Sequence, residues 1–179
     1  TCTLQGHEVS SNSAVQNGGG MYIANSTSTV VVDQSSTIVK NTATDGGGVF
    51  LHRGNVSSTL PGSSTVGHND ARQHGGGVYA SGGSTSIVMS RSTLLSNVAA
   101  NKGGGLYCED GADVDVTAGS SVRSNIGQYG GGVYVDASDL TIDSSIVADN
   151  EASVSGGACY AGNLASGTAT VSVVGASSS

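Results

Sequence analysis

One cassette of residues recurs six times along the 179-residue chain and limits its fold more than any other feature. It reads aliphatic-x-x-Asn, then a short spacer, then a glycine triplet followed by an aliphatic and an aromatic residue. The asparagines, at intervals of about 28 residues, are Asn12, Asn41, Asn69, Asn97, Asn125 and Asn150. A fixed period of this kind indicates a repeat architecture, and it excludes the disorder that many glycines and few charges would otherwise suggest.

Within each period the apolar residues alternate with polar ones, as in Val114-Asp-Val116 and Leu140-Thr-Ile142. This two-residue period is that of strands with one buried face, and no window has the helical period. The pattern predicts an all-β fold, a right-handed parallel β-helix of about six rungs, each of roughly 28 residues with three short strands. Residues 1–179 are predicted to form a single domain, either a segment of a longer solenoid or an uncapped module, since no capping helix pattern is visible.

Stacking of the rungs would give each column of residues a role. The Asn column is predicted to be structural, because an Asn at a bend tolerates left-handed backbone angles and can bond to the Asn residues above and below. A Ser column five residues earlier, present in five of the six repeats, is expected to be satisfied in the same way. The glycines are expected to allow a corner with positive φ and close passage of the next rung.

Six of the seven aromatic residues share one column, directly after the glycine triplet and one aliphatic residue. Their neighbours on either side have the parity of the interior, so the rings are expected to point outward. Two interpretations remain open: stacking between rungs, or a contact stripe for a partner protein or a sugar. This candidate surface aromatic column consists of Tyr22, Phe50, Tyr79, Tyr107, Tyr134 and Tyr160.

Charge and hydropathy exclude two classes of partner. The formal net charge is −7, and the six Lys and Arg residues are scattered, so no basic stripe is available for nucleic acid. The longest apolar runs are only a few residues, far short of the about 20 needed to span a bilayer. We therefore expect no membrane insertion by this segment.

The Gly-Gly-Gly-[Val/Leu/Met]-Tyr units paired with [Ile/Val/Leu]-x-x-Asn resemble the Gly-Gly-Ala-Ile and Phe-x-x-Asn repeats of the polymorphic outer-membrane protein family. They are also similar, more loosely, to pectin-lyase-type β-helices with their Asn ladders. The departures are a third Gly in place of Ala and an aliphatic residue in place of Phe. The resemblance implies a passenger-type β-helix in an extracellular or cell-surface location.

No residue set points to catalysis, a metal or a cofactor. Nine of the thirteen acids lie from Glu109 onward, and the simplest interpretation of this acidic half is a solvated edge, with a weak cation site as the alternative. The densest polar spot is His68-Asn69-Asp70 near His74, but it has no nucleophile with an orienting partner. We expect no enzyme activity.

Cysteines and sequons add little to the functional picture. Cys108 and Cys159 are two rungs apart, too far for a disulfide, and are predicted to be small core residues, whereas Cys2 could bridge to sequence outside this segment. Asn25 and Asn55 begin glycosylation sequons.

The function expected from these features is a non-enzymatic structural or adhesive scaffold of a cell-surface or extracellular assembly. Its partners would be other protein subunits or the rest of a longer chain. One alternative is a carbohydrate-binding or polysaccharide-cleaving β-helix that uses the aromatic column and the acidic edge. A second alternative is an ice-binding protein, based on the outward column Thr37, Thr65, Thr93 and Ser121, which Glu8 and Ile146 interrupt.

Overall fold

The chain folds into a parallel β-solenoid, in agreement with the sequence analysis. The structure is a computed structural model, and it describes residues 2–24, 30–33, 35–52, 56–61, 63–83, 85–162 and 169–174. Within these residues, 24 short strands form four parallel sheets. No described segment forms a helix long and apolar enough to span a bilayer.

Each sheet takes one strand from each turn. Sheet 1 contains β1 (Cys2–Gln5), β4 (Val30–Asp33), β8 (Val56–Pro61), β12 (Thr85–Ser90), β16 (Asp113–Thr117), β20 (Asp139–Asp143) and β24 (Thr170–Val174). Sheet 2 contains β2 (Glu8–Ser10), β5 (Thr37–Val39), β9 (Thr65–Gly67), β13 (Thr93–Leu95), β17 (Ser121–Arg123) and β21 (Ile146–Ala148).

The other two sheets flank the glycine triplets. Sheet 3 contains β6 (Thr42–Asp45), β10 (Asp70–His74), β14 (Val98–Ala99), β18 (Ile126–Tyr129) and β22 (Glu151–Ser155). Sheet 4 contains β3 (Met21–Ala24), β7 (Val49–His52), β11 (Val78–Ser81), β15 (Leu106–Glu109), β19 (Val133–Asp136) and β23 (Cys159–Gly162).

About five turns carry all four strands, where the sequence analysis expected three per rung. The difference arises because the spacer between the Asn and the glycine triplet forms its own strand in sheet 3. In the first repeat this strand is replaced by isolated bridges at Ser13 and Asn17. The six predicted rungs are therefore five complete turns and one turn without a regular sheet-3 strand.

Three corners of each turn are built on residues with positive φ. The residue before each Ser of the Ser column and the residue before each Asn of the Asn column are left-handed, as at Ser35 (φ 64°) and Lys40 (φ 58°). The first glycine of each triplet makes the third corner, as at Gly46 (φ 62°). The left-handed conformation expected of the Asn at each bend is adopted instead by the residue before it, which turns the Asn side chain inward.

The interior is filled by aliphatic side chains from sheets 1, 2 and 4. Ile38, Val66, Leu94 and Val122 are four such residues from one sheet-2 column, each with 0 or 1% of its surface exposed. Between these apolar columns run the buried ladders of Asn and Ser. The Asn residues of the predicted column thus form a hydrogen-bonded ladder between turns, buried from Asn41 to Asn125.

Candidate functional site: the tyrosine groove

The aromatic column lies on the outer side of sheet 4. In β7, Val49 and Leu51 belong to the interior core, so Phe50 between them points away from it. Neighbouring strands pair in exact register, which places Tyr79 opposite both Phe50 and Tyr107. Successive ring centroids along the six-residue column are 4.5–5.5 Å apart, so each ring contacts the next.

Four of these rings are nevertheless almost inaccessible to solvent. Phe50, Tyr79, Tyr107 and Tyr134 expose only 2–8% of their surface, whereas Tyr22 in the first turn exposes 54%. The rings lie in a groove, because the glycine corner folds the end of sheet 3 against the outer side of sheet 4. His74 at the end of β10 illustrates this contact, with its ring centroid 5.2 Å from that of Tyr107.

We call this feature the tyrosine groove and define it by three parallel columns. Its floor is the aromatic column. One wall is the residue before each glycine triplet: Asn17, Asp45, His74, Lys102, Tyr129 and Ser155. The other wall is the residue two places after each aromatic: Ala24, His52, Ser81, Glu109, Asp136 and Gly162.

A single carboxylate joins two tyrosines of the floor. The hydroxyl of Tyr79 donates to Oε1 of Glu109, and the hydroxyl of Tyr107 donates to Oε2 at 2.6 Å. Hydrogen bonds to a charged acceptor are stronger than neutral ones. Glu109 therefore connects two turns through side chains that are not part of the Asn or Ser ladder.

The side chain of Lys102 covers the rings of Tyr107 and Tyr134. The ammonium of Lys102 lies 5.5 Å from the ring centroid of Tyr107 and 4.7 Å from that of Tyr134, which are cation–π distances. Its Nζ is also 3.7 Å from Oδ2 of Asp136, whose side chain is only 2% exposed. The groove thus places acidic and basic groups beside the stacked rings.

Burial in the groove shifts the ionisation of the wall residues. Desolvation raises the pKa of Asp45, although His74 partly offsets this through its charge and its backbone N–H. Desolvation lowers the pKa of His74, and the charge of Lys102 lowers it further, while Asp45 and Glu109 oppose the shift. Both shifts favour the neutral form of the group concerned.

The tyrosine hydroxyls are shifted in the same sense. Desolvation, followed by the bond and the charge of Glu109, raises the pKa of Tyr79 and of Tyr107 well above the usual value. Desolvation, with smaller contributions from Asp136 and two tyrosines, raises the pKa of Tyr134 to about 12. The hydroxyls of Tyr79 and Tyr107 are donors in the groove, and none of the three is a base at neutral pH.

A cluster of perturbed ionisable groups in one place identifies a candidate functional site. Within the described residues, no set of three or more His, Cys, Asp and Glu side chains is arranged to hold a metal ion. Glu109 and Asp136 are engaged with tyrosine hydroxyls and with Lys102. The arrangement is suited to fixing the aromatic column in place.

The remaining predicted residues are dispersed. The amide of each buried Asn donates to the Oδ1 of the Asn one turn on, as from Asn69 to Asn97 at 3.0 Å. In the Ser column, Ser64 donates to the carbonyl of Val32 at 2.7 Å. Asn25 and Asn55 lie outside the described residues.

The densest polar spot of the sequence, His68-Asn69-Asp70 near His74, is divided between two surroundings in the structure. His68 and His74 lie before and at the end of β10, with His68 exposed at a turn and His74 in the tyrosine groove. Asp70 is exposed at the start of the strand. The interaction of His74 is with sheet 4, across the glycine corner.

Cys108 is fully buried, and its burial raises its thiol pKa. Cys159 packs against the same interior core with partial burial, and both thiols are free. The side chain of Cys2 lies outside the described part of the structure.

The acidic half places like charges in adjacent turns of sheet 1. Asp113 pairs in register with Asp139, and the pKa of Asp113 is raised by desolvation and by the charges of Asp139 and Asp115. On sheet 2, Thr37, Thr65, Thr93 and Ser121 form a continuous register column, with Glu8 at one end and Ile146 at the other.

An open depression adjoins the first turn of the groove. It has a volume of about 480 Å³ and is lined by Ala14, Val15, Gln16, Asn17 and Tyr22. The ring of Tyr22 stacks on Phe50 at 5.5 Å with an interplanar angle of 16°, which holds it in place. Val15 beside it is 82% exposed.

The walls of the groove are not among the residues predicted from the sequence. Their positions were readable, because each precedes a glycine triplet or follows an aromatic residue at a fixed distance. The charged and polar groups at these positions could not be recognised as a site, because the residue type changes from turn to turn and so forms no repeating pattern.

The fold and the ladders define the class of this protein: a parallel β-solenoid with a repeat of about 28 residues and buried Asn and Ser ladders. Comparison with known proteins finds no matching family model, no matching curated protein and no matching solved structure.

Proposed function

We propose that this protein is a non-enzymatic scaffold of a cell-surface or extracellular assembly and that it acts through protein–protein contacts. The observation that supports the proposal is the use of the repeated residues. Asn69 donates to Asn97 and to the carbonyl of Ile38, so its polar groups are used in contacts between turns. The aromatic column is likewise occupied by stacking on itself.

In this chain the recurring positions serve the stacking of turns. Such a repeat builds length and rigidity, and it leaves the outer strand faces for partners. The location follows from the resemblance of the Gly-Gly-Gly-aliphatic-Tyr and aliphatic-x-x-Asn motifs to polymorphic outer-membrane protein repeats and, more loosely, to pectin-lyase-type β-helices. That resemblance concerns motifs only, and it supports a passenger-type role within a larger assembly.

Surface display tests this proposal. The chain is anchored on a non-adherent host cell, and adhesion to protein-coated surfaces and aggregation between cells are measured. We expect display of the chain to confer adhesion and a variant with half a rung inserted after Asn97 to lose it, because the inserted segment breaks the register of the outer faces. Equal adhesion by the intact chain and the insertion variant would contradict the scaffold proposal. An intact chain that confers no adhesion would contradict it as well.

The second candidate is carbohydrate binding, and the depression beside Tyr22 favours it. An exposed aromatic ring next to the amides of Gln16 and Asn17 offers stacking and hydrogen bonds, the two contacts that a sugar ring uses. Binding of pectin-like and other polysaccharides is measured by isothermal titration calorimetry. Tyr22→Ala is expected to weaken such binding at the depression, while Asp113→Asn tests whether the acidic edge contributes.

Absence of glycan binding by the intact chain would eliminate this candidate. Binding that Tyr22→Ala leaves unchanged would exclude the depression as its site.

A further inference from the structure

The imidazole of His74 is the one groove side chain whose buried nitrogen has no hydrogen-bond partner among the described residues. Its Nδ1 is inaccessible to solvent and unpaired. Its ring contacts that of Tyr107, with the two centroids 5.2 Å apart, and the hydroxyl of Tyr107 donates to Glu109. An unpaired acceptor nitrogen is tolerable in a neutral ring, but a protonated ring would bury an N–H donor without an acceptor.

Charged groups face His74 from both neighbouring turns and from the opposite wall. Asp45 in the turn before accepts from the backbone N–H of His74 at 3.1 Å, and Lys102 is its register partner in the turn after. Glu109 faces it across the groove, but both of its oxygens already accept from the hydroxyls of Tyr79 and Tyr107. Protonation would therefore place a second cation beside Lys102 and an N–H donor at Nδ1, where no described acceptor is bonded.

We propose that the tyrosine groove is an acid-opened latch: protonation of His74 separates the groove wall from Tyr79 and Tyr107 and exposes the aromatic floor. The Asn and Ser ladders lie inside the solenoid and contain no ionisable group, so they keep the turns stacked while the groove opens. The latch is a property of the groove alone and stands independently of the proposed scaffold function.

The direction of the pH dependence follows from proton binding. In the closed groove the pKa of His74 is lowered from 6.5 by burial and by Lys102, whereas in an open, hydrated groove it returns to its ordinary range. Protons therefore bind more tightly to the open groove, and acidification through and below about pH 6.5 favours opening. Asp45 acts in the opposite sense at lower pH, since its raised pKa means that its protonation stabilises the closed groove.

Tyrosine spectroscopy tests the latch directly, because the chain has six Tyr and no Trp. Near-UV circular dichroism and second-derivative absorbance are followed from about pH 8 to about pH 4.5, with far-UV circular dichroism as the measure of the solenoid. We expect one near-UV step with an unchanged far-UV signal. His74→Gln is expected to lose the step, and His7→Gln, at an exposed position, is expected to keep it.

Imidazole titration by NMR in the wild-type chain provides a second measurement that does not depend on the folding of His74→Gln. Signals are assigned by elimination with His7→Gln, His52→Gln and His68→Asn. The His74 resonance is expected to titrate together with the tyrosine step. The latch is overturned by a step that persists in His74→Gln, by the absence of any step in the wild type, or by titration of His74 without a change at the tyrosines.

Discussion

At the scale of the residue, the stability of this protein depends on amides that are buried and fully bonded. Asn97 is completely buried, donates to Oδ1 of Asn125 and to the carbonyl of Val66, and accepts from the backbone and side-chain N–H of Asn69. Each bond gains about 1 kcal/mol, whereas a buried group that loses its partner costs about 1–3 kcal/mol. An interior Asn therefore matters mainly through the neighbours that it satisfies.

Truncation of one ladder residue should show this asymmetry. Asn97→Ala removes the amide donor to the carbonyl of Val66 and the acceptor of two Asn69 donors, and we expect a loss of about 3 kcal/mol or more in the free energy of unfolding. Asn12→Ala is the matched control, because Asn12 is exposed and its side chain donates to Asn41 alone among the described residues. Urea denaturation should give a loss below about 1 kcal/mol for the control. Similar losses for the two variants would contradict the ladder argument.

The tyrosine hydroxyls provide a second residue-scale prediction. The pKa values of Tyr79 and Tyr107 are raised in the folded chain. Their contribution to the free energy of unfolding is therefore fully present below the ordinary tyrosine pKa of 10.0, and it falls as the pH rises above that value. Melting temperatures measured from about pH 8 to about pH 11.5 should therefore decline above about pH 10.

The double variant Tyr79→Phe with Tyr107→Phe should decline less steeply over the same pH range. Phe50 shows that the column accepts a ring without a hydroxyl. An unchanged slope in the double variant would mean that other groups cause the alkaline loss.

At the scale of the element, the glycine corner forms the groove, and its three glycines meet two requirements. The first is left-handed, as at Gly103 (φ 63°). The second and third are required by close backbone approach: a Cβ on Gly104 would lie 2.3 Å from the carbonyl oxygen of Ile126 and 2.5 Å from that of Gly131. In the last repeat the third position is Ala158, and there the residue is exposed.

The two requirements can be separated by alanine substitution. Gly104→Ala must push apart two backbone segments, so we expect a loss of about 3 kcal/mol or more, at the upper end of the range for overpacking. Gly119→Ala is the control, since Gly119 has φ 80° but no atom within 4 Å of its Cβ position, and its cost is only the left-handed strain of roughly 1–2 kcal/mol. Chemical denaturation should rank the two in this order, and the reverse order would contradict close approach as the reason for the second glycine.

The periodic features of this fold are predictable from sequence, and the features that depend on where the chain bends are not. Asn69, Ser64 and Gly76 recur at a fixed distance from their equivalents, so their stacking follows from the repeat alone. The strand in the spacer was missed, because β10 (Asp70–His74) contains a single apolar residue and β14 only Val98–Ala99, so no alternation of apolar and polar residues can be read there. The burial of Tyr107 and its contact with His74 depend on the angle of the glycine corner, which the period does not specify.

At the scale of the whole molecule, the stacked turns make stability a sum of similar interfaces between neighbours. Residue 70 lies opposite residue 98 in the next turn, as Asn69 lies opposite Asn97 with a separation of 28. Removal of residues 70–97 therefore joins Asn69 to Val98 with every column still aligned. The chain loses one interface but no register.

A whole-turn deletion and a half-turn insertion should consequently have opposite effects. With residues 70–97 removed, we expect a cooperative thermal transition at a somewhat lower temperature, because the ladder resumes with Asn41, Asn69 and Asn125 in contact. Half a rung inserted after Asn97 places sheet-3 residues where sheet-1 residues belong and separates Asn97 from Asn125, so no cooperative transition should remain beyond the insertion. Circular dichroism melts measure both, and equal behaviour of the two variants would refute a solenoid whose stability depends on register between turns.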